Sequence, residues 1–117
     1  MVESSYTEYE SGIHYRIFIG FNDKKTKTQL ISTTQAIEMI EATALKHFSK
    51  YTLIMTKGGF KDDSGNVYKE DGAILEVIGT DVETVAGAAK ALETELNQIS
   101  ILVVAECVYF DFYTQYR

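Results

Sequence analysis

Residues 13–22, IHYRIFIGFN, alternate in side-chain character with the period of two that is typical of a β-strand. One side of this segment is entirely apolar. The other side carries His14, Arg16, Phe18 and Gly20, a mixture of charged and aromatic groups with one glycine. The pattern therefore predicts a strand with one face in a core and a second face that carries its polar chemistry.

Two amphipathic helices are predicted by apolar residues that recur at helical spacing behind a capping box. Ser32 with Gln35 starts the first helix, and Thr80 with Glu83 starts the second. The apolar stripe of the first helix comprises Ile37, Ile40, Ala44, Leu45 and Phe48. The stripe of the second comprises Val82, Val85, Ala89, Leu92 and Leu96.

Three further apolar segments, residues 51–56, 73–78 and 101–113, are predicted strands. Residues 57–72 are rich in glycine, aspartate and asparagine, which predicts a turn-rich connection. The order β-α-β-β-α-β predicts an α+β, ferredoxin-like fold, in which a four-stranded antiparallel sheet of order 4-1-3-2 carries two helices on one face. The chain, residues 1–117, is predicted to be one such domain with a peripheral N-terminal segment, residues 1–11.

The composition argues against several classes of function. A net charge of −6 disfavours direct binding to nucleic acid, and no apolar run approaches the roughly 20 residues of a membrane span. Two distant histidines and one cysteine do not make a metal site, and we expect no cofactor. The lone Cys107 and the lack of a signal-peptide pattern predict a cytoplasmic protein. Cys107 is assigned to the core side of the last strand, where a thiol is unreactive.

Strand alternation assigns a second set of residues to the free face, the sheet face that the helices leave uncovered. In the order 4-1-3-2, Arg16 lies on the strand between those of Glu76 and Glu106, so we expect these side chains to meet. The rest of this face is too apolar to remain in water. It includes Phe18, Ile54, Ile74, Ile78, Val104, Val108 and Phe110. We therefore expect a second copy of the chain, or another partner, to cover it.

Two interpretations of these charged residues remain open. The first is a cross-strand ion-pair network inside a homo-oligomer interface, with a dimer favoured, because a buried arginine requires a carboxylate. The second is a small-ligand pocket in which Arg16 holds an anion and Glu76 or Glu106 moves a proton. His14 is a further candidate for that proton transfer, since histidine titrates near neutral pH.

The stretches YRIFIGF at 15–21, GGFKDDSGNVYKE at 58–70 and ILEVI at 74–78 resemble a family of small ferredoxin-like bacterial proteins of unknown function. That family shows a Tyr-Arg first strand and a Gly-x-Trp/Phe hairpin that continues through aspartate and glycine to a glutamate. Phe60 stands where its members often have tryptophan. Similar short acidic chains occur in phage and mobile-element genomes. The resemblance implies the fold and a binding or inhibitory role, and it transfers no mechanism.

The leading hypothesis is a non-enzymatic, homo-oligomeric binding protein for a small anionic or nucleotide-like ligand or for a protein partner. The predicted ligand-binding residues lie on the free face and on the hairpin: His14, Arg16, Phe18, Glu76, Glu106, Lys57, Phe60, Lys61 and Lys69. One alternative is a small dimeric α/β-barrel enzyme, in which Glu76 or Glu106 is the general acid or base and Arg16 anchors the substrate. Another is an acidic inhibitor of a nucleic-acid-binding protein that acts by charge mimicry.

Overall fold

The computed structural model describes residues 8–113, and it confirms the predicted fold class. Six elements follow one another: β1 (Glu10–Gly20), α1 (Thr33–His47), β2 (Thr52–Lys61), β3 (Val67–Ile78), α2 (Val82–Glu95) and β4 (Leu102–Phe110). The strands form one antiparallel sheet in the order β2-β3-β1-β4, which is the predicted order counted from the opposite edge. Neither helix is long and apolar enough to cross a membrane.

The core lies between the two helices and one face of the central strands. Alternate residues of β1 and β3 point into it, and Ile17 and Leu75 are completely buried there. Ile40 of α1 and Leu92 of α2 are equally buried. Burial of a side chain of this size contributes about 1.5–3 kcal/mol. This packing also fixes which residues of β1 and β3 point to the free face.

The core does not extend fully under the edge strands, which corrects part of the sequence prediction. Strand alternation places Met55 and Val103 on the core side of the edge strands, where burial is expected, yet they are 47% and 37% exposed. Ala105 and Cys107, further along the same side of β4, are exposed as well, so the prediction of a buried thiol is wrong. The reason is that the helices pack mainly on β1 and β3, and the edge strand β4 lies beyond that layer.

Helix α1 begins where its capping box predicts. The Ser32 hydroxyl accepts a hydrogen bond from the Gln35 amide, and the Gln35 side chain accepts one from the Ser32 amide, both at 3.1 Å. The apolar stripe is narrower than predicted, because Leu45 is 65% exposed. Ile40 and Ala44 supply the buried part of the predicted stripe within the helix.

Helix α2 begins one residue later than predicted. Its N-cap is Asp81, whose carboxylate accepts a hydrogen bond from the Thr84 amide at 2.8 Å, so the predicted pairing of Thr80 with Glu83 is wrong. Aspartate is at least as good an N-cap as threonine, which explains the choice. Hydrogen bonding from Thr84 also holds the pKa of Asp81 below its usual value. Val82, now the first helical residue, is 59% exposed.

The largest difference from the prediction is the length of the β2–β3 hairpin. Strand pairing continues through residues 57–61 and 67–71, which we call the hairpin arm, and only residues 62–66 form the turn. The predicted connection at 57–72 is therefore mostly strand. Its glycines and polar residues favour turns locally, but cross-strand pairing in register with the sheet overrides that tendency.

The turn of this hairpin is built around Asp62. Its carboxylate accepts hydrogen bonds from the amides of Ser64 and Asn66 at 3.0 and 2.9 Å. Hydrogen bonding, above all from the Asn66 side chain, lowers the pKa of Asp62. Gly65 has a φ of 88°, a left-handed conformation that favours glycine.

Two chain segments end differently from the prediction. Residues 1–7 of the predicted peripheral segment lie outside the described residues, and Glu10 and Ser11 belong to β1. Strand β4 ends at Phe110, three residues before its predicted end.

Candidate functional site

The ionic cluster, made of His14, Arg16, Glu76 and Glu106, lies on the free face where β1 is flanked by β3 and β4. The register places Arg16 opposite Glu76 and His14 opposite Glu106. Directly opposed residues in an antiparallel sheet share a face. All four side chains therefore lie on the side away from the helices.

Arg16 is shared by the two glutamates of the cluster. Its Nε lies 3.5 Å from Glu76 Oε1, and its Nη2 lies 3.5 Å from Glu106 Oε1. His14 Nε2 lies 3.4 Å from Glu76 Oε2. The Glu76 side chain is 25% exposed and lies between an arginine and a histidine, whereas that of Glu106 is 57% exposed.

The charges of the cluster are largely satisfied from within. Ion pairs with this much solvent exposure contribute roughly 0–1 kcal/mol each. One arginine between two carboxylates leaves the cluster negative unless His14 is protonated. An anionic ligand at Arg16 would therefore meet two carboxylates, so the arrangement suits an ion-pair network better than an anion pocket.

A cavity of about 610 Å³ opens beside the cluster, where β2 begins and β3 ends. Of the four cluster residues, Glu76 alone lines it, and its other lining residues include Lys50, Thr52 and Phe112. The barrel-enzyme hypothesis requires both Arg16 and a glutamate to face one accessible cavity. Glu76 faces this cavity, but Arg16 does not.

A second carboxylate, which the sequence analysis did not single out, lies at the other end of the free face. Glu70 Oε2 accepts a hydrogen bond from the Asn22 amide at 2.9 Å, and Asn22 Nδ2 donates to the Lys69 carbonyl at 2.9 Å. The carboxylate lies over Gly20, where a Cβ atom would come within 2.4 Å of it. Within residues 8–113, Glu70 has no lysine, arginine or histidine at ion-pair distance, unlike Glu76.

An aromatic pair lies on the hairpin arm next to Glu70. The rings of Phe60 and Tyr68, which are opposite in register, stack with centroids 4.9 Å apart and an interplanar angle of 23°. Lys27 Nζ lies 5.0 Å from the centroid of the Tyr68 ring. Such stacking stabilises the hairpin by about 0.5–1.5 kcal/mol. Phe60 nevertheless remains 44% exposed, so it retains surface for another flat ring.

Glu70 lines three grooves; one, of about 590 Å³, is also lined by Lys57 and Lys69, and the other two are smaller. The first of the smaller two, of about 180 Å³, is also lined by Lys27 and Phe60. The second, of about 260 Å³, is also lined by Phe18 and Leu102. We call Glu70, Asn22, Gly20, Phe60 and Tyr68 the Glu70 site. Lys24 also lines the first groove, but neither it nor Lys27 forms an ion pair with Glu70. A carboxylate that makes no ion pair, next to an exposed aromatic ring, has the chemistry that recognises a flat ligand with a positive charge.

The predicted hairpin residues divide between the two faces of the arm. Phe60 shares a face with Glu70, whereas alternation places Lys57, Lys61 and Lys69 on the opposite face. Lys57 Nζ lies 3.4 Å from Asp71 Oδ1 at an exposed position. The three lysines therefore do not form a cationic pocket around the aromatic pair.

One sequence feature could have identified the Glu70 site. Gly20 ends β1 on the free face, and it lies directly opposite Gly72 of β3. A glycine in a strand commonly marks a close approach by another group. Here that group is the Glu70 carboxylate.

Residues 8–113 contain no group of three or more His, Cys, Asp or Glu side chains that could hold a metal ion.

Comparisons with known proteins establish the fold and nothing finer. No protein-family model and no curated protein matches the chain. It is similar to a phage SAM lyase in complex with S-methyl-5'-thioadenosine, with 17% identity, coverage of 88% of this chain and 93% of that chain, and a TM-score of 0.59.

The apo state of the phage SAM lyase gives 17% identity, coverage of 89% and 94%, and a TM-score of 0.57. The periplasmic divalent cation tolerance protein CutA from Archaeoglobus fulgidus gives 11% identity, coverage of 92% and 90%, and a TM-score of 0.52. The chain therefore shares with these proteins an α+β fold of one antiparallel sheet and two helices.

Proposed function

We propose that this chain is a homo-oligomeric protein that binds a positively charged, nucleoside-type ligand at the Glu70 site, with S-adenosylmethionine as the first candidate. The observation that carries the proposal is the Glu70 carboxylate, which lines a groove with an exposed phenylalanine and makes no ion pair within residues 8–113. A phage origin and a cytoplasmic location accompany the proposal, since a short acidic chain with one cysteine suits both.

The sign of the ligand's charge follows from electrostatics. A partly buried carboxylate is unfavourable unless opposite charge or hydrogen bonds compensate it. Glu70 receives one hydrogen bond, from Asn22, and a sulfonium or ammonium group of a ligand would supply the missing positive charge. An anion at the ionic cluster would meet two carboxylates, and beside Glu70 it would meet a carboxylate that makes no ion pair, although Lys24 and Lys27 also line the groove that Glu70 shares with Phe60. The ligand class therefore keeps the nucleotide-like part of the sequence hypothesis and changes the charge.

The nucleoside part of the proposal is supported by the aromatic pair. A base that stacks on an aromatic side chain gains about 1–3 kcal/mol, and the exposed surface of Phe60 is within the same groove as Glu70. The phage SAM lyase, whose fold is similar, was solved with S-methyl-5'-thioadenosine, an adenosine thioether. That likeness decides which nucleoside to test first.

A second candidate function is the cleavage of S-adenosylmethionine, which the name of the same structural neighbour favours. In that cleavage a C–S bond breaks and its electron pair goes to sulfur, so that S-methyl-5'-thioadenosine leaves as a neutral thioether, while the ligand's own carboxylate supplies the electron pair of a new C–O bond to the same carbon. A carboxylate beside the sulfonium stabilises the bound ligand more than a transition state in which the positive charge is decreasing. Glu70 therefore supports binding more directly than it supports a fast reaction.

The test compares two conservative variants in thermal unfolding with added ligand. S-adenosylmethionine at 100 times its dissociation constant should stabilise the wild type by about 2.7 kcal/mol. Glu70→Gln should lose most of this stabilisation because it removes the charge, while the matched control Glu76→Gln should retain it. ATP, an anion with the same base, should give little shift.

The outcomes of this experiment separate the hypotheses. A ligand-induced shift that survives Glu70→Gln would refute the Glu70 site. Stabilisation by ATP and not by S-adenosylmethionine would refute the proposed cationic ligand and support the anionic ligand predicted from the sequence. Chromatography of the same mixtures decides between binding and cleavage, because only cleavage releases S-methyl-5'-thioadenosine.

A further inference from the structure

We infer that copies of this chain assemble head to tail through the two edges of the sheet, with β4 of one copy pairing antiparallel to β2 of the next until a ring closes. The inference deepens the assembly part of the proposed function and makes no use of its ligand. It differs from the predicted face-to-face contact, because main-chain edges rather than the free face form the interface.

Strand β4 is an edge of the sheet that residues 8–113 form, and its sequence lacks the residues that usually block an edge. Of its nine residues, LVVAECVYF, only Glu106 is charged, and the strand carries neither lysine nor proline. Natural edge strands are commonly blunted by such residues, because a bare edge exposes unpaired N–H and C=O groups to other chains. Leu102 and Val103, on opposite faces of β4, are 60% and 37% exposed. Residues 8–113 provide no strand for its outer side.

The other edge of the sheet fits this one in direction, although β2 carries Lys57 and Lys61 where β4 has no lysine. Strands β2 and β1 both run antiparallel to β3, and β4 runs antiparallel to β1. A second copy in the same orientation therefore offers its β2 antiparallel to β4, with its helices on the same side. The offered strand is apolar near its middle, where Ile54 and Met55 are 42% and 47% exposed.

A two-fold contact between two β4 strands is the competing arrangement, and it is less favourable. Pairing centred on the middle of β4 would place Glu106 directly opposite its own copy, and like charges opposite each other are destabilising. It would also leave the β2 edge of both copies bare. A head-to-tail contact that closes into a ring pairs both edges of every copy.

Among the registers that keep the helices of both copies on one side of the sheet, the one that pairs the most residues predicts a specific contact. With residue 110 opposite residue 52 of the next copy, Cys107 lies opposite Met55 of the next copy, and Glu106 lies opposite Thr56. Cys107 and Met55 share the helix side of the sheet. Opposed strand residues have Cα atoms about 4.5–5.5 Å apart, which is within the range of a disulfide.

The test is cysteine cross-linking in the full-length chain. Met55→Cys should form intermolecular disulfides with Cys107 on mild oxidation, giving covalent oligomers on a non-reducing gel. The wild type has Cys107 alone and should remain monomeric on that gel. Leu45→Cys adds a thiol at a site on α1 that is 65% exposed, and it measures collision-driven cross-linking. We expect Met55→Cys to cross-link at least about tenfold faster than this control.

The native mass, measured by light scattering, gives the number of copies in the assembly. It also distinguishes the two results that would contradict the inference. A monomeric wild type would overturn both the assembly and the edge pairing. An oligomeric wild type in which Met55→Cys cross-links no faster than Leu45→Cys would overturn the edge pairing alone. Lys57→Cys combined with Ala105→Cys, at residues that lie opposite each other in the same register, provides a second test at two exposed positions.

Discussion

Gly20 and Gly72 lie directly opposite each other, yet alanine should act very differently at the two positions. At position 20, a Cβ atom would lie 2.4 Å from the carboxyl carbon of Glu70. At position 72, it would lie 2.4 Å from the carbonyl oxygen of Ile19. The first obstacle is the end of a flexible side chain, and the second is the backbone of a central strand.

The expected loss of unfolding free energy in each variant follows from the contacts that the added Cβ atom would disturb. Gly20→Ala displaces the Glu70 carboxylate and loses its hydrogen bond from Asn22, about 1.5–3 kcal/mol for a charged acceptor. Replacing a strand glycine returns about 0.5–1 kcal/mol, so the net loss is about 1–2 kcal/mol. Gly72→Ala instead moves β1 away from β3. Overpacking of about 1–3 kcal/mol and two weakened backbone hydrogen bonds of about 0.5–1.5 kcal/mol each, less the same return for the glycine, give a loss of about 1–5 kcal/mol, centred on about 3 kcal/mol.

Urea denaturation followed by far-ultraviolet circular dichroism measures both losses. The loss expected for Gly72→Ala is a substantial part of the total unfolding free energy of a domain, which is roughly 5–15 kcal/mol. This variant should therefore be marginally stable or unfolded. Gly20→Ala should remain folded and lose its response to S-adenosylmethionine. Equal losses of unfolding free energy in the two variants, or a larger loss for Gly20→Ala, would refute the reasoning from these contacts.

Three further outcomes test other parts of the structure. Asp81→Ala should lower the melting temperature by about 3–5 °C, and Thr80→Ala by much less, because Asp81 is the N-cap; equal effects in thermal scans would contradict that cap. Asp23 and Asp62 have pKa values below the ordinary 3.8, so the stability they contribute is present at neutral pH and is lost as the pH falls below about 4. Asp62→Asn should therefore flatten the fall of melting temperature in acid, and an unchanged slope would argue against this. Arg16→Gln should cost about 1 kcal/mol in urea denaturation, because its ion pairs are partly exposed; a loss above about 3 kcal/mol would mean that the pairs are buried in an assembly.

The fold could be predicted because its determinants are local and agree with one another. The alternation in residues 13–22 assigns a core face to the first strand, and the capping box at Ser32 fixes the start of the first helix. Right-handed connections then leave one strand order for the sheet. The approach of Arg16 to both glutamates follows from that order together with strand alternation.

The sequence was less informative where long-range pairing competes with local preference. Gly58 and Gly59 favour a turn by themselves, but they pair with Glu70 and Lys69 in the extended hairpin. The exposure of Val103 depends on how far the helices reach across the sheet, which no periodicity encodes. Glu70 is the last residue of the hairpin motif in the sequence, but the motif does not indicate a site, because the site exists only where the hairpin arm lies beside the end of β1.

The hairpin arm has a consequence for the motions of the protein. All five of its β2 residues are exposed, and a two-stranded ribbon is marginally stable by itself. Three hydrogen bonds join it to residues 21 and 22, from the Phe21 amide to the Asp71 carbonyl, from the Asn22 amide to Glu70, and from Asn22 Nδ2 to the Lys69 carbonyl. Its amides should therefore exchange with deuterium earlier than those of the four-stranded region. Any molecule that occupies the groove beside Glu70 must hold this ribbon still, so part of its affinity is spent on lost chain entropy, and its arrival should be visible as slowed exchange far along the arm.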